Sequence, residues 1–178
     1  MSTSSGMDEP AGAARWPADA RFTELIARRR ENLLRLAVLL TGSRKEGEDA
    51  VQEAVLAVSR SWMRVLAQAG EAVAYSYLRT AVIRKSVDLQ RSRIPLGAAA
   101  EVAIENDGLL RFEQDRQFFA LVAALPQQQR AVLVLRYYAD FDDRRIAAVL
   151  GVRGATVRSN ATRGLEKLRE REVMEEKR

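Results

Sequence analysis

Residues 142–169 read DDRRIAAVLGVRGATVRSNATRGLEKLR, and the fold turns on them. Ile146, Ala147, Val149 and Leu150 make a short apolar helical face, and Gly151 supplies a turn. A second helix then turns Val157, Ala161, Leu165 and Leu168 inward at steps of four, four and three. Arg158, Ser159, Thr162 and Arg163 point the other way. Two helices at a sharp angle, with cations and small hydroxyls on the second, have the layout of a DNA-binding helix-turn-helix. Taken alone, the same pattern suits a surface helix with solvated arginines, so the rest of the chain has to decide.

Composition points the same way. The 178 residues carry 47% hydrophobic and 30% charged residues, with only four prolines and ten glycines, which allows long uninterrupted helices. Alanine, leucine and arginine dominate, all good helix formers, and the expected class is all-α. Net charge is +5, and its distribution says more than its size. Residues 21–93 hold fourteen cations against eight acids, and residues 118–178 twelve against eight. Between them, residues 94–117 hold two cations against five acids. Two basic blocks around an acidic spacer suggest two nucleic-acid-facing modules.

Cysteine and histidine are both absent. Disulfides, thiol nucleophiles, zinc fingers and histidine-based triads are thereby excluded, and no metal or cofactor is expected. No stretch approaches a membrane span, and the first 20 residues lack the apolar run of a secretory signal, so no membrane insertion and a cytoplasmic location are expected.

Along the chain, residues 1–19 read as a disordered segment. A helix is predicted over 19–40, with Phe22, Leu25, Ile26, Leu33, Leu36 and Leu40 inward, stopped at Thr41-Gly42. Ser43 and Glu46 form a capping box for the next helix, whose apolar face runs from Val51 through Ala54, Val55 and Val58 to Trp62 and Val65. Gln68-Ala69-Gly70 reads as a short loop. A third helix over 72–92 turns Leu78, Ala81, Val82 and Leu89 inward, with Arg79, Arg84, Lys85, Arg91 and Arg93 on its polar side, offset by Asp88. Pro95 closes this module, since a proline disfavours helix at the residue before it. Residues 94–110 read as a linker. Four helices follow at about 111–124, 127–138, 142–149 and 154–172, and 173–178 form a charged tail.

These residues resemble the extracytoplasmic-function group of sigma-70-type transcription initiation factors. Leu33-Leu34-Arg35-Leu36-Ala37 with Leu39-Leu40-Thr41-Gly42 looks like the opening helix of the family's sigma-2 domain. Glu48-Asp49-Ala50-Val51-Gln52-Glu53-Ala54 resembles the acidic segment that docks on the polymerase. Tyr77-Leu78-Arg79-Thr80-Ala81-Val82, on to Asp88 and Arg91, resembles the helix that reads the −10 element. Leu125-Pro126, Arg130-Ala131-Val132-Leu133, Leu135-Arg136-Tyr137-Tyr138 and Thr156-Val157-Arg158-Ser159 look like the sigma-4 pattern.

The resemblance implies two small helical domains, sigma-2-like over 20–93 and sigma-4-like over 111–172, joined by a flexible acidic linker at 94–110. The implied partners are core RNA polymerase, at its β′ clamp helices and β flap, and promoter DNA. An anti-sigma factor is a further partner, as many family members have one. Asp49, Gln52 and Glu53 would dock on the polymerase. Arg153, Thr156, Arg158, Ser159, Thr162 and Arg163 would read the −35 element, with the amides near 154–157 holding a phosphate. Arg79, Arg84, Lys85, Asp88, Arg91 and Arg93 would face the −10 element. Gln68, Gly70 and Glu71 would pocket a base flipped from the opening duplex; Tyr75 and Tyr77 are candidates to stack on it, but Tyr77 is expected in the core instead.

Three positions depart from the family pattern. Arg84 stands where asparagine is usual, and Arg153 where a serine caps the recognition helix. Arg145 replaces a glutamate and so removes a capping-box partner for Asp142. The linker reads equally as a plain tether or as an acidic imitation of nucleic acid. The expected function is therefore promoter-directed transcription initiation, with no catalytic residue of the chain's own. The alternative is a freestanding dimeric helix-turn-helix regulator, which leaves the first basic module and the acidic face without a use.

Overall fold

The computed structural model describes residues 20–91 and 113–176; for 63–69, 113–116 and 172–176 only the backbone is described. The described residues form seven α-helices and one π turn, with no strand among them. Helix α1 spans Ala20–Thr41, α2 Arg44–Ser59 and α3 Trp62–Arg91. Helix α4 spans Glu113–Ala123 and α5 Gln127–Leu133, which runs into a π turn at Val134–Tyr138. Helices α6, Asp143–Leu150, and α7, Gly154–Glu176, complete the chain. The expected segment at 1–19 and linker at 94–110 lie outside the described residues. Helix α7 runs to Glu176, past the expected end at 172, so most of the expected tail is helical.

Helix α1 changes character along its length. Its first half buries Phe22 and Leu25 on one stripe, whereas from Leu36 to Thr41 every residue is buried. A helix buried all round needs neighbours on every side. Helices α2 and α3 supply one side; α4, α5 and the π turn supply the other. The buried residues of both halves accordingly form one continuous cluster.

Helix α2 starts at Ser43, whose Oγ accepts from the Glu46 amide at 3.5 Å. It crosses α1 at Gly47, where a Cβ would lie 2.8 Å from a Val38 methyl. The expected helix through Val65 breaks earlier, at Arg60-Ser61. Ser59 Oγ donates to the Leu56 carbonyl (2.9 Å) and Ser61 Oγ to that of Val58 (3.2 Å). Short hydroxyl side chains of this kind compete with the helix ladder. Trp62 therefore opens α3 instead of closing α2. It is fully buried, its ring 4.6 Å from that of Phe22.

The loop expected at 68–71 contracts to one kink. Gly70 sits at φ 72°, ψ 175°, a conformation essentially reserved for glycine, and helix continues on both sides. Beyond it α3 buries Ala74, Leu78, Val82, Ile83, Ser86, Val87 and Gln90, while Ala81 and Leu89 are half-buried. That face is wider than a single stripe because α3 packs on α1 and α2 and also on α6.

Candidate nucleic-acid interfaces

The helix-turn-helix is built by three local devices. Asp142 caps α6, its Oδ1 accepting from the Arg145 amide at 2.7 Å. Phe141 and Ile146 stand in the register of a hydrophobic staple, and both are buried. Gly151, at φ 65° and ψ 36°, ends α6 in the left-handed region, and the Val152 amide closes the turn on the Ala147 carbonyl at 3.0 Å. Upstream, Arg136 on the π turn pairs with Asp143 in the first turn of α6. Asp140 takes the positive φ (55°) that turns the chain back after the π turn.

Helix α7 seats on α5 and α6 through Val157 and Ala161, both buried. Gly164 is buried as well: a Cβ there would lie 3.0 Å from Leu133. Leu165 and Leu168, expected inward, are only half-buried. On the opposite side Arg153, Arg158, Ser159, Thr162 and Arg163 are all exposed and Thr156 is half-exposed, so the six recognition residues share an open surface. The first turn of α7 closes on the Arg153 carbonyl, which accepts from the amides of Thr156 (2.9 Å) and Val157 (3.2 Å). Of the amides expected to hold a phosphate, these two are engaged by the chain itself, and Gly154 and Ala155 precede them at the helix start. The expected loss of a side-chain cap at Arg153 thus leaves a carbonyl-closed turn.

The basic side of α3 is different. Arg79 is half-buried; its Nη2 donates to the Ala139 carbonyl at 2.9 Å, and its guanidinium carbon lies 4.6 Å from the centre of the Phe141 ring. Burial first, and then the nearby Arg145 charge, draw the Arg79 guanidinium below its ordinary pKa; Tyr75 and Asp140 act the other way. Its Nε is buried without a hydrogen-bond partner. Arg91 Nη2 donates to the Leu150 carbonyl at 2.6 Å, at the C-terminal end of α6, where a cation also meets the negative end of the helix dipole. Asp88 lies 3.8 Å from Arg91. Lys85 pairs with Glu53 of the acidic face at 3.0 Å. Arg84 is exposed. Glu71 pairs with Arg28 of α1 at 2.9 Å. The side chain of Gln68, and Arg93 as a whole, lie outside the described residues.

The aromatic expectations divide. Tyr75 is half-buried against the core, with the Arg29 guanidinium 4.8 Å from its ring centre. Tyr77, expected in the core, is instead 49% exposed, because the kink at Gly70 sets the α3 register so that Ala74, Leu78 and Val82 face inward. On α2, Asp49, Gln52 and Glu53 are exposed together, opposite buried Val51, Ala54 and Val55.

Two residues that sequence reasoning did not place at a site tie the halves together. Arg130 donates to the carbonyls of Thr41 (3.1 Å), Val122 (3.2 Å), Ala123 (2.5 Å) and Leu125 (3.2 Å), joining the end of α1 to the end of α4. Phe141 receives a second cation: the Arg145 guanidinium carbon is 3.8 Å from its ring centre, and Arg145 Nη2 donates to Ser76 Oγ on α3 at 3.1 Å. The staple register of Phe141 was the available signal; its partners on α3 had none. Among the described residues no side-chain cluster fits a metal ion.

Comparison with known proteins bears on the same segments. Residues 115–168, from α4 through most of α7, match the family described as Sigma-70, region 4. The RNA polymerase sigma-E factor of Streptomyces avermitilis is 27% identical over 153 residues, covering 84% of this chain and 83% of the relative. That of Streptomyces coelicolor is 28% identical over 152 residues, with 84% of each covered. The ECF RNA polymerase sigma factor SigE of Mycolicibacterium smegmatis is 29% identical over 177 residues, covering 92% of this chain and 68% of the relative.

Proposed function

We propose a function from one premise: the chain belongs to the extracytoplasmic-function group of the sigma-70 family. It binds core RNA polymerase, directs it to promoters and helps nucleate strand opening. The observation that carries this is the open face of α7, where Arg158, Ser159, Thr162 and Arg163 stand exposed on a helix anchored by Val157 and Ala161 within the matched region.

In this scheme α7 lies in the major groove of the −35 element. Arg158 and Arg163 donate in pairs to guanine O6 and N7, each good pair worth about 1–3 kcal/mol of discrimination. Ser159 and Thr162 add single contacts. Arg153, Thr156 and the leading amides of α7 hold a phosphate. The unit 111–172 takes this role and contacts the β flap, while 20–93 takes the −10 element. There Arg79, Arg84, Lys85 and Arg91 meet the backbone, and Tyr77, exposed on the same helix, offers a stacking surface for an unpaired base. Asp49, Gln52 and Glu53 approach basic residues of the β′ clamp helices. Charged contacts of this kind chiefly set encounter rate and orientation.

Polymerisation belongs to the core enzyme, so no catalytic residue or cofactor is assigned to this chain. An anti-sigma partner fits the scheme as a regulator. Among the described residues no helix is long and apolar enough to cross a membrane, and the proposed work is cytoplasmic. The test is run-off transcription: the purified chain with core polymerase and a pool of promoter fragments should select a subset that core alone does not transcribe. Tight sequence-specific binding by the free chain as a dimer, with no effect on polymerase, would replace this function by the freestanding regulator.

A further inference from the structure

The open face of α7 has an order that its recognition residues do not exhaust. Val157, Ala161, Gly164 and Leu168 form the seated side, at steps of four, three and four, and the first three are buried. Ala155, Ser159, Thr162 and Glu166 repeat those steps two positions earlier, which on an α-helix is nearly the opposite side, and all four are exposed. The seat is close: a Cβ at Gly164 would lie 3.0 Å from Leu133 Cδ1, which leaves α7 little freedom to roll. The exposed line therefore points in a fixed direction. Its side chains are small except at Glu166, and the cations Arg158, Arg163, Lys167 and Arg169 border it on both sides. We propose that Glu166 is a specificity-determining residue of this face, accepting an amino hydrogen from a cytosine in the major groove. This rests on the groove-reading role proposed for α7.

The ordinary use of a glutamate on a helix surface is an ion pair with a neighbour, and Arg163 and Arg169 stand three positions to either side. Among the described residues Glu166 makes no ion pair, so its carboxylate keeps its acceptors open. On a face that meets DNA a carboxylate is repelled by every phosphate nearby. A hydrogen bond offsets that repulsion only where a base offers a donor. Guanine and thymine present acceptors alone in the major groove and are rejected. Adenine presents its amino group beside the N7 acceptor, which a carboxylate cannot satisfy, whereas cytosine presents its amino group alone. Arginine selects guanine, so Glu166 adds a preference of the opposite kind. It stands four residues beyond Thr162, about 6 Å along the helix. The cytosine therefore lies about one or two base pairs beyond the base that Thr162 meets.

The test uses the full chain with core polymerase on a promoter that it transcribes. The upstream element is randomised, each template carries a transcribed barcode, and run-off products are sequenced. The wild type should prefer cytosine at one position on one edge of the element. Glu166→Ala should abolish that preference, a change of about 5–50-fold in yield between cytosine and guanine, with the other positions as before. Glu166→Gln should move the preference from cytosine toward adenine, because a side-chain amide pairs with adenine N6 and N7. A glutamate with a merely structural role cannot redirect the preference at one base. Neither substitution touches the seat of α7, so the urea midpoint should stay that of the wild type. Unchanged preferences at every position in both variants overturn the assignment. A change by the same factor on every template overturns it as well, and marks Glu166 as a general repulsive charge. A wild-type chain that directs core polymerase to no template overturns the initiation role and the assignment together, a failure visible before any variant is made.

Discussion

Helices α3 and α7 carry similar sequence signals, an apolar stripe backed by arginines, and the structure treats them in opposite ways. On α7 the arginines at 158 and 163 are exposed, with none of the described residues covering them. On α3 the arginines at 79 and 91 are directed at carbonyls of the helix-turn-helix half. A cationic face therefore identifies a class of partner, while its occupancy depends on what else in the chain offers unpaired carbonyls. Helix ends and tight turns offer many, and the loop at 139–141 and the end of α6 place two of them against α3.

The largest effect should come from the open face. Replacing both Arg158 and Arg163 by alanine removes two candidate guanine contacts of about 1–3 kcal/mol each, a loss on the order of 10²–10⁴ in promoter-selective transcription if they add. Binding to core polymerase should be unchanged, measured by co-elution. Neither side chain supports the core, so melting should also be unchanged. Loss of polymerase binding in the folded variant would move the recognition surface away from α7 and erase the contrast with α3.

Next come the two bends that set the helices' directions. Gly70 and Gly151 both have positive φ, and among the described residues beyond its chain neighbours a Cβ at either would meet no atom within 4 Å. They differ in ψ, 175° against 36°. The first lies in a region essentially closed to side chains, the second in the left-handed helical region that asparagine tolerates. Gly70→Ala should cost about 2–3 kcal/mol and Gly151→Ala about 1–2 kcal/mol by urea denaturation of the full chain. Gly151→Asn should recover part of the loss and Gly70→Asn none. Equal costs at the two sites would mean that the kink in α3 relaxes to a different backbone without penalty.

What sequence allowed to be read follows from the range of each interaction. The turn at Gly151, the Asp142 cap and the apolar positions of α7 nearest α6 depend on residues within a few positions of each other, and the pattern around 142–161 displays them. The break at Arg60-Ser61 was hidden, because Val58 and Trp62 keep helical spacing across it while two serine hydroxyls end the helix. The breadth of the buried face on α1 and α3 was also hidden. Leu34, Ala37, Val38 and Leu39 fill the far side of α1 only because the second half of the chain packs there. The same cause conceals the use of Arg79, Arg91 and Arg145. Each meets a partner 59 to 69 positions away, and no periodicity records a contact across that distance.

Lys85 is the finest test of the contrast, since it lies on α3 but is not held by the helix-turn-helix half. Its ammonium pairs with Glu53 at 3.0 Å, and both side chains remain substantially exposed, 39% and 49%. Exposed pairs of this kind contribute about 0–1 kcal/mol, so breaking one to reach a phosphate costs little. Lys85→Gln should accordingly leave the urea midpoint within about 0.5 kcal/mol of wild type. If Lys85 meets the DNA backbone, the variant's promoter complex should lose about one unit of slope in the dependence of log affinity on log salt. A stability loss well above 1 kcal/mol would show that Lys85 is fixed in place as Arg79 is. An unchanged salt slope with unchanged stability would leave it a surface pair that serves the acidic face alone, by holding Glu53 toward the polymerase.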